Sequence, residues 1–177
     1  MDNPVEAIRL ERGRMREVRT LLAASVDCEQ ADRADFIEFY IAVAAYLKLA
    51  MSRLHAQDVL MLNTLRRKLE MNPGQTAIIA EVEARLAGNQ RHLSGFLAAA
   101  DQLRRSGRSA VPEFAVCTRA YNDYINTNMG HHAPSTDLAR ANLELSDWQA
   151  MAHFSQSERM AEQKMYDEVQ ALQPVRK

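Results

Sequence analysis

Arg12, Gln57, Asn89 and Asn128 each interrupt an otherwise apolar helical seam, and their side chains define the chemistry this chain could do. An amide or guanidinium inside a helical protein costs about 1–3 kcal/mol when it is left without partners. Each break therefore requires hydrogen-bond partners from other helices or from a bound ligand. Arg53 and Asp58 flank Gln57, and Gln90 follows Asn89. Two guanidiniums in an interior, Arg12 and Arg53, need anions, which Glu11, Asp58 or a bound carboxylate or phosphate would supply; if both instead snorkel to the rim, the site is a polar network alone. A small anionic ligand is thus an expected partner. The metal-competent side chains near the breaks are His55, Asp58, His131 and His132. His55 and Asp58, three residues apart, are expected to bond to each other on a surface. Adjacent histidines on a helix point about 100° apart and chelate poorly together. Nothing pairs a nucleophile with a base, so no catalytic residues are assigned.

The elements that carry these residues follow from period and punctuation. A first helix starts at Asn3-Pro4, with Asn3 as cap, and runs to about Ala24 through Val5, Ile8, Arg12, Met15, Val18 or Arg19, and Leu22. A second spans Phe36 to Leu69 with the seam Tyr40, Val43, Leu47, Ala50, Leu54, Gln57, Met61, Leu65, and ends at Asn72-Pro73-Gly74. A third opens near Gln75 or Thr76 and runs through Ile79, Val82, Leu86, Asn89, Leu93, Phe96, Ala100 and Leu103 to a left-handed cap at Gly107. The fourth opens near Pro112 and carries Phe114, Cys117, Tyr121 and Asn128; Pro134 should loosen or kink it, with a short helical turn following over about 136–143. Ser146-Asp147-Trp148-Gln149 reads as the capping box of one last helix through Met151, Phe154, Met160, Met165 and Val169. At about 1.5 Å per residue the breaks at Gln57, Asn89 and Asn128 fall at one height for antiparallel neighbours, whereas Arg12 agrees less well. A shared polar layer inside the protein is the expectation.

Composition narrows the class. The 177 residues suit one domain, rich in helix formers, with few glycines and prolines. A net charge of −1 with interspersed signs offers no basic face for nucleic acid. No apolar leader and no run long enough to span a membrane are present, so a cytoplasmic protein is expected. Cys28 and Cys117 lack ligand spacing and are read as reduced thiols.

On these residues the chain resembles the hemerythrin-like, HHE cation-binding family of up-and-down four-helix bundles. Leu10-Glu11-Arg12 stands where the family's first helix carries Glu-His. Arg53-Leu54-His55-Ala56-Gln57-Asp58 fits the frame of its second helix, Asn89-Gln90 before Leu93, Phe96 and Leu97 that of its third, and Tyr121, Tyr124 and Asn128-Met129-Gly130-His131-His132 that of its fourth. The resemblance implies an all-α, antiparallel four-helix bundle over about 3–133, with a C-terminal helical extension over about 136–172, in a single domain 1–177. It also implies that the family's di-iron ligands are replaced: Arg12, Arg53, Gln90 or Asn89, and Asn128 stand at histidine positions, and Gln57 and His132 at carboxylate positions. A degenerate site and a non-catalytic binding, sensory or interaction role are expected, with no cofactor. The alternative is a rearranged iron or zinc site drawing on His55, Asp58, His131 or His132 and acting in oxygen, peroxide or metal handling. Trp148 with the methionines of the last helix would pack on the bundle or form a homodimer face.

Overall fold

A computed structural model describes residues 4–130, 132–153 and 155–174; the cap assigned to Asn3, the metal candidate His131 and the seam residue Phe154 lie outside them. Among the described residues the fold is all-α, with no strand. Helices α1 (Pro4–Val26), α2 (Ala34–Lys68) and α3 (Pro73–Ser106) are followed by a 3-10 turn, Gly107–Ala110. Then come α4 (Val111–Asn128), α5 (Ala133–Asn142), α6 (Leu145–Ala152) and α7 (Gln156–Ala171).

Local chemistry sets the boundaries, in places differently from expectation. Asn72 and Pro73 do not simply end α2; they start α3. The Asn72 Oδ1 accepts from the Gln75 N–H at 2.9 Å, the Gln75 Oε1 accepts from the Asn72 N–H at 3.1 Å, and Pro73 fills the first turn. Gly107 ends α3 with φ of 57°, a conformation that suits glycine. Pro134 kinks nothing: the chain leaves α4 at Asn128, and His132 caps a new helix with Pro134 in its first turn. The expected single last helix is two. Glu144 rather than Ser146 caps α6, through Asp147, and Ser155 restarts the chain as the cap of α7 with Glu158. There the Ser155 Oγ accepts from the Glu158 N–H at 3.2 Å and the Glu158 Oε2 accepts from the Ser155 N–H at 2.7 Å, so the new start has partners for two of the donors it frees.

Packing follows from the seams. α3 and α4 are antiparallel, with Phe96 against Phe114 (5.5 Å between rings) and Tyr121 (5.4 Å), while further along the Tyr124 hydroxyl donates to the Arg85 carbonyl at 2.9 Å. Gly88 permits this approach, because a Cβ there would lie 1.9 Å from the Tyr124 oxygen. α2 packs against α3 and also against α7, and α6 lies on α1 and α2. The expected C-terminal extension is thus seated on its own chain: Val169 is buried, Met165 is half-buried and Met160 is left exposed. No helix among the described residues is long and apolar enough to cross a membrane.

The core is in two parts. One, from Phe36 to Leu54 on α2 and Leu93 to Leu103 on α3, is centred on Tyr40, Phe96, Phe114 and Tyr121 and includes Val18 and Leu22 of α1. The other joins Leu62 and Leu65 of α2, Ile79 and Leu86 of α3, Ala139 and Leu143, and Met151 of α6. Lys68 and Asp147 (2.5 Å) tie α6 to the end of α2. The Lys68 hydrogen bond, together with the Glu144 N–H, holds the Asp147 carboxyl below its ordinary value of 3.8. A carboxyl whose pKa is depressed by folding stabilises the fold above the unfolded value and loses that contribution as pH falls through the folded one. The thermal midpoint is therefore expected to drop with acidification below about pH 4, and Asp147→Asn should remove that part of the acid limb when midpoints are compared across pH.

Candidate functional site

Two of the four seam breaks sit where the two cores meet. Gln57 lies between Leu54 and Leu62 on α2 and is 7% exposed; Asn89 lies between Leu86 and Leu93 on α3 and is 3% exposed. The Arg66–Glu83 pair (2.7 Å) fixes the α2/α3 register and brings Gln57 and Asn89 within about one helical turn in height. The Gln57 Oε1 and the Asn89 Oδ1 are buried without a hydrogen-bond partner. α4 contributes Asn122, 6% exposed, with both amide atoms buried and unpartnered. Since Gly88 faces Tyr124, Asn89 and Asn122 are level as well.

Asn128, the break expected on α4, does not join this layer. Its amide folds back to donate to the Tyr124 carbonyl at 3.1 Å, and its own carbonyl accepts from Arg85. The sequence signal for Asn122 was its place beside the buried Tyr121, one turn before Ile125, a stripe masked by the aromatic seam.

The arginines are not free to receive a ligand in the interior. Arg12 leaves half its side chain exposed and pairs with Asp58 at 2.7 Å, so it stands on the rim. Its height, which agreed poorly, is reconciled by an overhang: Ser25 accepts from the Tyr40 hydroxyl at 2.9 Å, level with a residue already six places into α2. Arg53 is enclosed. Its Nε and Nη2 donate to the two Glu162 carboxylate oxygens of α7 at 2.8 and 3.0 Å, and its Nη1 donates to Glu11 of α1 at 2.5 Å. Burial pulls the Arg53 guanidinium down, but the bonds from Glu162 and Glu11 outweigh it and hold the group above its ordinary value. The anions that the guanidiniums require thus come from the chain itself. Glu162, buried and fork-bonded, was not singled out in the sequence, although it falls on the α7 seam one turn before Met165. Burial first, and the Glu162 charge second, push up the hydroxyl of the fully buried Tyr46.

The histidines take separate places. Asp58 pairs with Arg12 rather than with His55, whose Nδ1 is buried without a partner. His55 and Gln90 line an open groove of about 320 Å³ between α2 and α3. The His132 Nδ1 meets the Ser135 hydroxyl at 2.9 Å and its Nε2 lies 3.1 Å from Glu81, at the edge of a second open groove of about 470 Å³ that includes Arg85, Tyr124 and Asn128. His92 stacks on Tyr124 (4.5 Å). Among the described residues no three His, Cys, Asp or Glu side chains cluster as metal ligands would. Cys28 and Cys117 are free and half-buried, and burial raises the Cys117 thiol.

Replacing unpartnered buried amides with apolar groups of similar size relieves their desolvation penalty. Gln57→Leu with Asn89→Leu is expected to raise stability by about 1–3 kcal/mol, measured by denaturant unfolding.

No family model matches the chain, and neither a curated protein nor a solved structure matches it.

Proposed function

We propose that this protein is a hemerythrin-like, antiparallel four-helix bundle with a degenerate di-iron site, acting as a non-catalytic binding or sensory protein whose amide layer receives a small hydrogen-bonding ligand. The observation that carries the reading is Arg53. It stands where the resemblance puts a metal-binding imidazole, and its guanidinium is committed to Glu162 and Glu11. A guanidinium offers donors only and no lone pair to a cation. Four residues along α2 from it, Gln57 and, level with Gln57, Asn89 keep amide oxygens buried and unpaired, and such orphans are retained at a stability cost that a bound ligand would offset. Bundle interiors are where helical proteins of this kind build ligand sites.

The test is metal content by mass spectrometry with an absorption spectrum, on untagged protein from cells supplemented with iron and zinc. Less than about a tenth of an equivalent of any metal is expected from this donor set. Two irons per chain with near-ultraviolet oxo-bridge bands would overturn the reading.

A further inference from the structure

Arg19 of α1 turns its Nη1 into the interior, where the atom is buried and has no hydrogen-bond partner. Tyr121 and the like-charged Arg16 act on it, and among the described residues no carboxylate is paired with it, in contrast to Arg12 and Arg53. Burial, with Arg16 adding to it, pulls the Arg19 guanidinium down. Facing it from α4, Tyr121 is fully buried with an unpartnered hydroxyl. Thr118 and Asn122 lie three residues before and one after Tyr121, on the same stripe of α4. The Thr118 Oγ1 (0% exposed) and both amide atoms of Asn122 are likewise buried and unpartnered.

A fixed cation with hydroxyl and amide donors and no acid paired with it has a specific complement. Water would satisfy the hydroxyls and the amide but not the charge, and a dianion would exceed a single guanidinium. We propose that one monovalent anion of halide size binds between α1 and α4, held by the Arg19 Nη1 and the Tyr121 hydroxyl, with Thr118 and Asn122 beside it. The site lies about two turns along α1 from Arg12 and does not depend on the hemerythrin-like reading.

Crystals soaked in sodium bromide, measured at the bromine edge, would locate the anion. Thermal midpoints in sodium chloride and in sodium gluconate at equal ionic strength would measure its coupling to folding, for the wild type, Arg19→Met and Tyr121→Phe. The expected result is a bromide peak between Arg19 and Tyr121. It is accompanied by a chloride-specific rise of about 3–5 °C per tenfold increase above the Kd in the wild type, abolished in Arg19→Met and weakened in Tyr121→Phe. If Arg19→Met does not fold, Tyr121→Phe and the bromide map carry the test. No anomalous peak there, or the same chloride response in the wild type and the variants, overturns the proposal.

Discussion

Replacing Arg53 with methionine is expected to destabilise the protein by about 3–5 kcal/mol, because two enclosed carboxylates lose the cation they share. The side chains of Glu162 and Glu11 are 7% and 13% exposed, so water cannot take over what the guanidinium did. The loss should be concentrated at the C terminus. Arg53 joins α1, α2 and α7 through its hydrogen bonds to Glu11 and Glu162, and α7 is a helix of mostly polar residues that gains its place from Val169, Met165 and this pair. Hydrogen exchange should therefore quicken across α7 while α3 and α4 keep their protection. Arg53→Met combined with Glu162→Met and Glu11→Gln should recover much of the loss, since neutral groups can replace a buried ion cluster at little cost when every charged partner is removed. A triple variant no more stable than Arg53→Met alone would show that Arg53 acts through packing and not through charge.

Phe114→Ala is expected to cost about 3–5 kcal/mol, or a fall of about 6–20 °C in thermal midpoint for a domain of this size. Phe114 is fully buried and touches Tyr40 of α2 at 5.0 Å and Phe96 of α3 at 5.5 Å between ring centroids, so its removal opens a void shared by three helices. Backbone relaxation cannot close it, because the Phe96–Tyr121 stack and the Tyr40 bond to Ser25 hold the surrounding walls. Val116, two residues along and 62% exposed, provides the control: Val116→Ala should stay within about 0.5 kcal/mol of wild type. Calorimetry of both variants decides the matter, and a small loss at Phe114 would mean that the aromatic cluster is loosely packed.

The helical class, the extents of α1 to α4 to within a few residues, and the two amide breaks that fall between the cores are legible in the amino-acid order alone. These are properties of local period and capping: an apolar stripe names the buried face of a helix, and Gln57 and Asn89 stand on that face with short side chains that cannot leave it. Arg12 occupies the same kind of position, but its long side chain carries its charge to the rim while its stem stays on the seam, and period alone does not choose between interior and rim for such a residue. Which side chains become partners depends on how the helices come together. Glu162 is 109 residues from Arg53, and nothing local in a polar helix marks which carboxylate will be buried. The same holds for Asn122 in place of Asn128, where the choice between two amides on one helix rests on the turn that meets α3 at Gly88. It holds also for Arg19, one of two alternatives for a single seam position, whose Nη1 is buried without a partner only because of how α4 and its Tyr121 come to lie beside α1. Periodicity fixes which face of a helix is inward; the charges and donors that face one another across the interior are set by how the helices cross.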